Sequence, residues 1–230
     1  MSGYAYKEWK GSFYPADLPA EAMLDHYATR FPAVEINNTF YRMPKEATVL
    51  DWASRVPDGF QFAVKASRRI THDNRLLDAG SMVDYLVGKV ALLGGKQGPL
   101  LFQLPPNFSK DLPRLEAFLP LLPPEWRIAL EWRHPSWNDK DVLAALERHG
   151  VAAVAIEQEG DDAAPELTAT APWGYVRLHR PGYTPLELRQ RADAILAQPW
   201  SDCYVFFKHE EEIAGPAMAQ GFSSLIPAEA

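Results

Sequence analysis

Seven short apolar runs recur along the chain, and stretches of helical periodicity separate most of them. The runs are 33–37 (AVEIN), 60–66 (FQFAVKA), 100–106 (LLFQLPP), 127–132 (RIALEW), 151–157 (VAAVAIE), 174–179 (GYVRLH) and 203–209 (CYVFFKH). Strands that alternate with helices need crossover connections, so they pair in parallel, and a parallel sheet is buried on both faces. Helical segments are expected at 20–30, 46–55, 81–95, 112–122, 139–150 and 185–198, with a last helix from near Gly215. In the third of these, Met82, Tyr85, Leu86, Lys89, Val90 and Leu93 recur at helical spacing. The segment 139–150 opens on acidic residues and stops at Gly150, as helix ends prefer.

The alternation predicts an α/β, TIM-barrel-like (β/α)8 domain spanning 1–230. A chain of 230 residues, 47% of them hydrophobic, is near the usual size of that fold and fills one large core. An open doubly wound sheet is the competitor, but it usually carries a Gly-rich phosphate loop after its first strand. Here LLGGKQG (92–98) precedes a strand and reads as a turn. Two irregularities modify the barrel. Too few residues precede Tyr4 for a full first strand, and 158–172 (QEGDDAAPELTATAP) is polar and interrupted by proline. A short or missing strand 1 and no helix 6 are therefore expected.

Parity along each strand separates the barrel interior from the face under the helices. Glu35 falls with Asn37; Gln61 and Ala63 with Lys65; Leu101 with Gln103; Glu131 with Arg133; Arg177 with His179; Phe206 with Lys208. In every pair the polar residue lies at the C-terminal end of its strand, the rim where barrel enzymes gather their active sites. Unpaired buried charge is costly, and replacing buried ion pairs with apolar residues is often neutral or stabilising. So many charges at one rim therefore call for a reason beyond pairing among themselves. Lys65, Arg133, Arg177 and Lys208 outnumber Glu35 and Glu131 there, although the whole chain has a net charge of −7. A local positive excess favours an anionic ligand, and arginine forks match its oxygens.

Glu35, Glu131, Lys65, His179 and His72 are the candidate catalytic residues. The carboxylates would serve as bases and the histidines as acids. Two carboxylates also permit glycoside hydrolysis, and Lys65 imine formation. Asn37, Tyr41, Arg42, Gln103, Arg133, Trp137, Arg177, Lys208, Tyr6 and Trp9 are candidate ligand contacts, the aromatic ones as stacking surfaces. Loop residues Thr39, Arg68, Arg69, Thr71, His134, Ser136, Arg180 and Tyr183 lie beside them. No cofactor is expected. A divalent ion among His72, His134, His179, His209, Glu35, Glu131 and Glu157 is a minor alternative, since no HxH, HExxH or paired-Cys spacing exists and four cations lie close.

The absence of any Lys/Arg block argues against a general duplex-DNA binder. A small anionic molecule is the expected partner, a nucleic-acid end the less favoured one, and nothing in the sequence speaks to oligomeric state. The single cysteine, Cys203, excludes an intramolecular disulfide and reads as a small core residue. No run of ~18 apolar residues is present and the first residues lack a signal-peptide pattern, so a cytoplasmic setting without membrane contact is expected.

The stretches GYAYKEWKGSFYP (3–15), VEINNTFYRMP (34–44), WASRVPDGFQFAVKASRRITH (52–72), GPLLFQLPPNF (98–108), LEWRHPSW (130–137) and GYVRLH (174–179) together resemble the YecE-like family, domain of unknown function 72. The resemblance spans almost the whole chain. It implies a (β/α)8-type barrel and carries no settled reaction. Its motifs include Glu35, Asn37, Lys65, Gln103, Glu131, Arg133, Arg177 and His179, with Tyr41, Arg42, His72 and Trp137 beside them. The chain departs from the family pattern at MSG (1–3), where a fuller first strand is usual and a start codon assigned too late would leave such a remnant. It departs again at HRPG (179–182), where Arg180 would alter the pocket's charge, and at FFKHEEE (206–212). The expected function is an enzyme acting on an anionic small molecule at the rim, as a hydrolase or lyase. A non-catalytic binder of such a ligand is the alternative.

Overall fold

The computed structural model describes residues 1–157, 160, 163–208 and 214–227. Seven parallel strands lie in sequence order: β1 (Ala33–Ile36), β2 (Gln61–Lys65), β3 (Gln97–Gln103), β4 (Ile128–Glu131), β5 (Ala152–Glu157), β6 (Gly174–Leu178) and β7 (Cys203–Phe207). The helices are α1 (Met23–Ala28), α2 (Glu46–Arg55), α3 (Gly80–Val90), α4 (Leu112–Phe118), α5 (Lys140–Arg148), α6 (Pro185–Leu196) and α7 (Ala214–Ser223). The sheet curls until β1 and β7 meet.

Two residues finish the closure. Ser2 pairs with Glu35 as an isolated parallel bridge. The Glu35 N–H donates to the Met1 carbonyl at 3.0 Å, and the Ser2 N–H donates to the Phe207 carbonyl at 3.0 Å. The abbreviated first strand is thus a two-residue wedge in a nearly closed barrel. Gly3 turns the chain away at φ +101°, and the Tyr6 ring occupies the space a Cβ would need.

The crossover from β5 to β6 lacks a helix among its described residues, 160 and 163–173. The Thr170 hydroxyl holds that segment to the sheet instead. It donates to the Val151 carbonyl at 2.7 Å and accepts the Ala153 N–H at 2.8 Å.

Helix boundaries follow local chemistry. Asp139 caps α5 by accepting the Asp141 N–H at 2.9 Å, and Val142, Ala145 and Leu146 then face the core at helical spacing. Thr184 and Glu187 form a reciprocal capping box with Pro185 as the first residue of α6. β3 begins three residues before the expected 100–106, because Gly98 and Pro99 belong to the strand. A Cβ at position 98 would lie 3.0 Å from the Phe62 carbonyl oxygen, and the β2–β3 register shifts between Phe62 and Val64. Glycine and proline mark close backbone approach and irregular pairing here, not a break.

Two cores result. Val34, Phe62, Val64, Phe102, Leu130, Val176 and Leu178 pack outward beneath the helices. Ala63, Leu101, Ala129, Ala152, Val154, Tyr175 and Phe206 fill the barrel interior, small residues opposite aromatic ones. At the lower mouth Arg127 lies over the Trp173 and Tyr204 rings and pairs with Asp202. Cys203 is half-buried against the outer core, and burial pushes its thiol up to about 12. Among the described residues no helix is long and apolar enough to cross a membrane.

Candidate functional site

Above the apolar interior, the inward parity of the strands continues into charge. Glu35, Glu131 and Arg177 occupy the next interior positions of β1, β4 and β6, and both carboxylates are fully buried. Arg177 spans them: Nη2 donates to Glu35 Oε1 at 2.9 Å and Nη1 to Glu131 Oε2 at 2.5 Å. Glu35 Oε1 also accepts from Ser2 Oγ at 2.7 Å and Asn37 Nδ2 at 2.8 Å, and Oε2 accepts from the Tyr175 hydroxyl at 2.6 Å. Glu131 Oε1 accepts from Gln103 Nε2 at 2.5 Å and Arg133 Nε at 3.0 Å. One guanidinium thus ties opposite walls of the barrel together through two carboxylates that are themselves well supplied with donors.

Electrostatics follow from those contacts. Burial alone would raise both carboxyl pKa values, but the cations and donors win. Arg177 and Arg133 bring Glu131 down to about 2, while Arg177 with the Tyr175 and Asn37 donors holds Glu35 well below the ordinary carboxylate range. Both are anions at neutral pH. His179 is 8% exposed, and burial beside Arg177 pulls it down to about 3, leaving a neutral imidazole. Lys65 is half-buried. Burial and the Arg177 charge bring its ammonium down to about 8, against the opposing pull of Glu131 and Glu35.

Lys65 Nζ forms no hydrogen bond or ion pair with any described residue. It lies 4.4 Å from the centre of the Phe40 ring. His72, on a short π-helical turn (Arg69–Asp73), packs edge-on against the same ring at 4.8 Å, and burial and Lys65 keep its pKa low. The Thr39 hydroxyl donates to the Lys65 carbonyl at 2.7 Å, which fixes the Phe40 turn to the end of β2. Lys208 is half-buried, with its backbone N–H on the Leu178 carbonyl, and its charge adds to the resistance of His179 to protonation. Arg177 Nε, His179 Nε2 and Asn37 Oδ1 are buried without a hydrogen-bond partner among the described residues.

Several expected contacts lie elsewhere. Trp9 and Trp137 are both 0% exposed and belong to the outer core, so neither presents a face to a ligand. The Trp137 indole N–H donates to the Phe108 carbonyl at 2.6 Å. Tyr6 spends its hydroxyl on the Ser2 carbonyl at 2.7 Å. Tyr41 is 76% exposed, and Arg42 stands in solvent beside it. His134 caps the turn at Ser136. Arg180 does not join the ring: it pairs with Glu157 at 3.0 Å and Glu187 at 2.9 Å. Glu157 has the opposite parity and faces α6, where Arg191 also holds it at 3.0 Å. Among the described residues no group of three His, Cys, Asp or Glu side chains converges as a metal site requires; His209 lies outside them. A separate surface hollow, lined by Ser12, Phe13, Arg30, Pro216, Ala217 and Gln220, contains none of the ring residues.

Residues 1–230 match the family described as "Protein of unknown function DUF72" over their full length. The chain belongs to the DUF72 family. Against the UPF0759 protein YecE of Escherichia coli K12 it is 31% identical over 140 residues, 58% of this chain and 52% of that protein. Against the UPF0759 protein YunF of Bacillus subtilis it is 31% identical over 104 residues, 43% of this chain and 37% of that protein. The chain thus spans about half the length of the first relative and less of the second. Two solved DUF72 structures share the fold. The Thermotoga maritima protein superposes with a TM-score of 0.83 at 22% identity, covering 98% of this chain and 96% of that one. The Enterococcus faecalis protein gives 0.76 at 21% identity, with 89% and 93% covered.

Three residues of this DUF72 ring escaped the sequence reading. Tyr175 shares the parity of Arg177 and His179, a signal hidden because tyrosine reads as core. Phe40 lies in the quoted stretch 34–44, but no periodicity marks its direction there. Ser2 belongs to a segment too short for any periodicity.

Proposed function

We propose that the C-terminal rim of this DUF72 barrel is an active site for a small molecule bearing a phosphate or carboxylate group. The observation that carries the reading is the set of buried polar atoms without a partner among the described residues: Arg177 Nε, His179 Nε2 and Asn37 Oδ1. A buried polar group without a partner costs about 1–3 kcal/mol, and Arg177 and Asn37 both bond the same Glu35 oxygen. Such a set suits a polar occupant at the mouth of the barrel. Charge sets its sign. Among the described residues the carboxylates beside Arg177, Arg133 and Lys65 are Glu35 and Glu131, and both already hold several donors.

Roles follow from the protonation states. Glu35 and Glu131, held low by arginine, are poor proton acceptors and serve to orient Arg177 and Arg133. Neutral His179 binds through its ring nitrogen. Lys65 and His72 are left to handle protons, and the bond broken is of the hydrolase or lyase kind. The commitment of both carboxylates to arginine also favours a second reading, a sensor that binds the anion and leaves it unchanged.

Calorimetric titration with inorganic phosphate, a sugar phosphate and a small carboxylic acid tests the site. Saturable binding is expected, with affinity at least about tenfold weaker in Arg133→Ala, since a charge-assisted contact contributes about 1.5–3 kcal/mol. No saturable binding, or equal binding by the variant, refutes the site. Product analysis on the same mixtures separates enzyme from sensor.

A further inference from the structure

We infer that Lys65 is an amine nucleophile that forms an imine with a small anionic aldehyde or ketone held at the rim. The inference rests on the anion site proposed above and names the reacting group of its ligand.

The geometry of Lys65 differs from that of the two arginines nearest the carboxylates. Arg177 and Arg133 are each paired with a carboxylate, whereas Lys65 Nζ meets none among the described residues and rests instead against the Phe40 ring. It is also half-buried at the end of β2, so a ligand at the mouth of the barrel reaches it. The groups facing it are Arg177, Glu131 and Glu35 from the strands, Arg133 just beyond β4, and His72 from the π-helical turn. Flanked by cations and an apolar ring, the amine is stored partly in its reactive neutral form, as nucleophilic lysines require. The same cations hold an anionic substituent of the ligand.

The step is balanced without an oxidant or reductant. The ammonium gives a proton to a neighbouring base, and His72, neutral and packed on the same Phe40 ring, is the candidate. The amine nitrogen then attacks the carbonyl carbon; a C–N bond forms, the C=O π pair moves onto oxygen, and one proton passes from nitrogen to that oxygen to give the carbinolamine. The carbinolamine hydroxyl takes a proton back and leaves as water, while nitrogen keeps one hydrogen and the positive charge. In sum, R–NH3⁺ and O=C give R–NH⁺=C and water. The iminium withdraws electrons from the adjacent carbon, which directs the proposed function toward carbon–carbon or carbon–hydrogen bond cleavage and away from hydrolysis.

Borohydride trapping tests this on the full chain. Glyoxylate, pyruvate and dihydroxyacetone phosphate are each incubated with the protein, reduced, and the product is mapped by peptide mass spectrometry. At least one probe is expected to add to Lys65 in preference to the exposed Lys45 and Lys140, with the trapping rate rising about pH 8 and not above 10. Lys65→Arg should lose the adduct while its far-ultraviolet circular dichroism stays native. Adducts spread over exposed lysines, or undiminished in Lys65→Arg, overturn the inference. If phosphate binds but no Lys65 adduct forms, the anion site stands and the nucleophile falls. If an adduct forms on Lys65 and no phosphate or carboxylate binds, the anion site falls and the nucleophile stands.

Discussion

Arg177→Met removes a cation that two fully buried carboxylates share. Methionine keeps the apolar stem but ends about where Nε lies, so the main loss is the charged end of the guanidinium and its donors at 2.5 and 2.9 Å. Breaking a buried ion pair from one side costs about 3–5 kcal/mol, because the remaining charge stays desolvated. In a chain of this size 1 kcal/mol moves the melting temperature by about 2–4 °C, which puts the expected fall at roughly 6–20 °C at pH 7. The exposed pair Arg148–Glu116 provides the contrast. Its loss in Arg148→Ala should cost at most about 1 kcal/mol.

The pH dependence sharpens the test. In the parent protein Glu131 titrates near 2, below its unfolded value, so its contribution is complete above the ordinary carboxylate range and is lost as pH falls through 2. Without Arg177, burial dominates and the carboxyl pKa values rise above their unfolded values. Acidification then neutralises a buried charge and relieves the variant. The deficit between parent and variant should therefore shrink from pH 7 to pH 5. Adding Glu35→Gln and Glu131→Gln to Arg177→Met should restore at least half the loss. Calorimetric melts read all three. A fall below about 3 °C at pH 7, or a deficit that grows on acidification, refutes the claim that Arg177 holds two ionised carboxylates.

His179 makes a second pH prediction. The unfolded chain takes up a proton below about 6.5 while the folded one resists until about 3. Stability should therefore decline across that window with a limiting slope of about 1.4 kcal/mol per pH unit from this group. Urea melts of His179→Gln at pH 6.5, 5.5 and 4.5 should be flatter than those of the parent; identical slopes would mean that His179 is not buried neutral. For Trp137→Phe, loss of the bond to the Phe108 carbonyl should cost about 1–3 kcal/mol and leave phosphate affinity unchanged. Weakened phosphate binding with unaltered stability would return Trp137 to the site.

Period-two parity was the most informative part of the sequence. It separated Glu35, Lys65, Gln103, Glu131, Arg133, Arg177 and His179 from the residues under the helices, because β-strand geometry allows no other arrangement once the strands are placed. The same rule, applied to 151–157, would have moved Glu157 to the outer face, where it meets Arg180 and Arg191. Loops obey no such period. Tyr41 and Trp137 are both aromatic residues just beyond strand ends, yet one is exposed and the other fully buried. Their direction is set by tertiary packing, which residue type and spacing do not encode. Lys65 marks the same boundary from the other side: its parity was legible, but its want of a carboxylate partner among the described residues depends on which neighbour each arginine chose.

That choice gives the ring its division of labour. A planar guanidinium has enough donors to serve two carboxylates at once, and an ammonium does not span two walls in this way. With arginine at position 177, Glu35 and Glu131 are satisfied together and carry no proton at neutral pH, so neither has reason to turn toward Lys65. A lysine at 177 that held Glu131 would leave Glu35 without an ion-pair partner among the described residues and open to Lys65. Arg177→Lys should therefore raise the Lys65 pKa from about 8 toward its ordinary value while keeping the formal charge of the ring constant. Read as the pH midpoint of Lys65 modification by an amine-selective reagent, that shift tests whether the reactivity of the lysine is set by arginine geometry or by burial alone. An unmoved midpoint would assign it to burial.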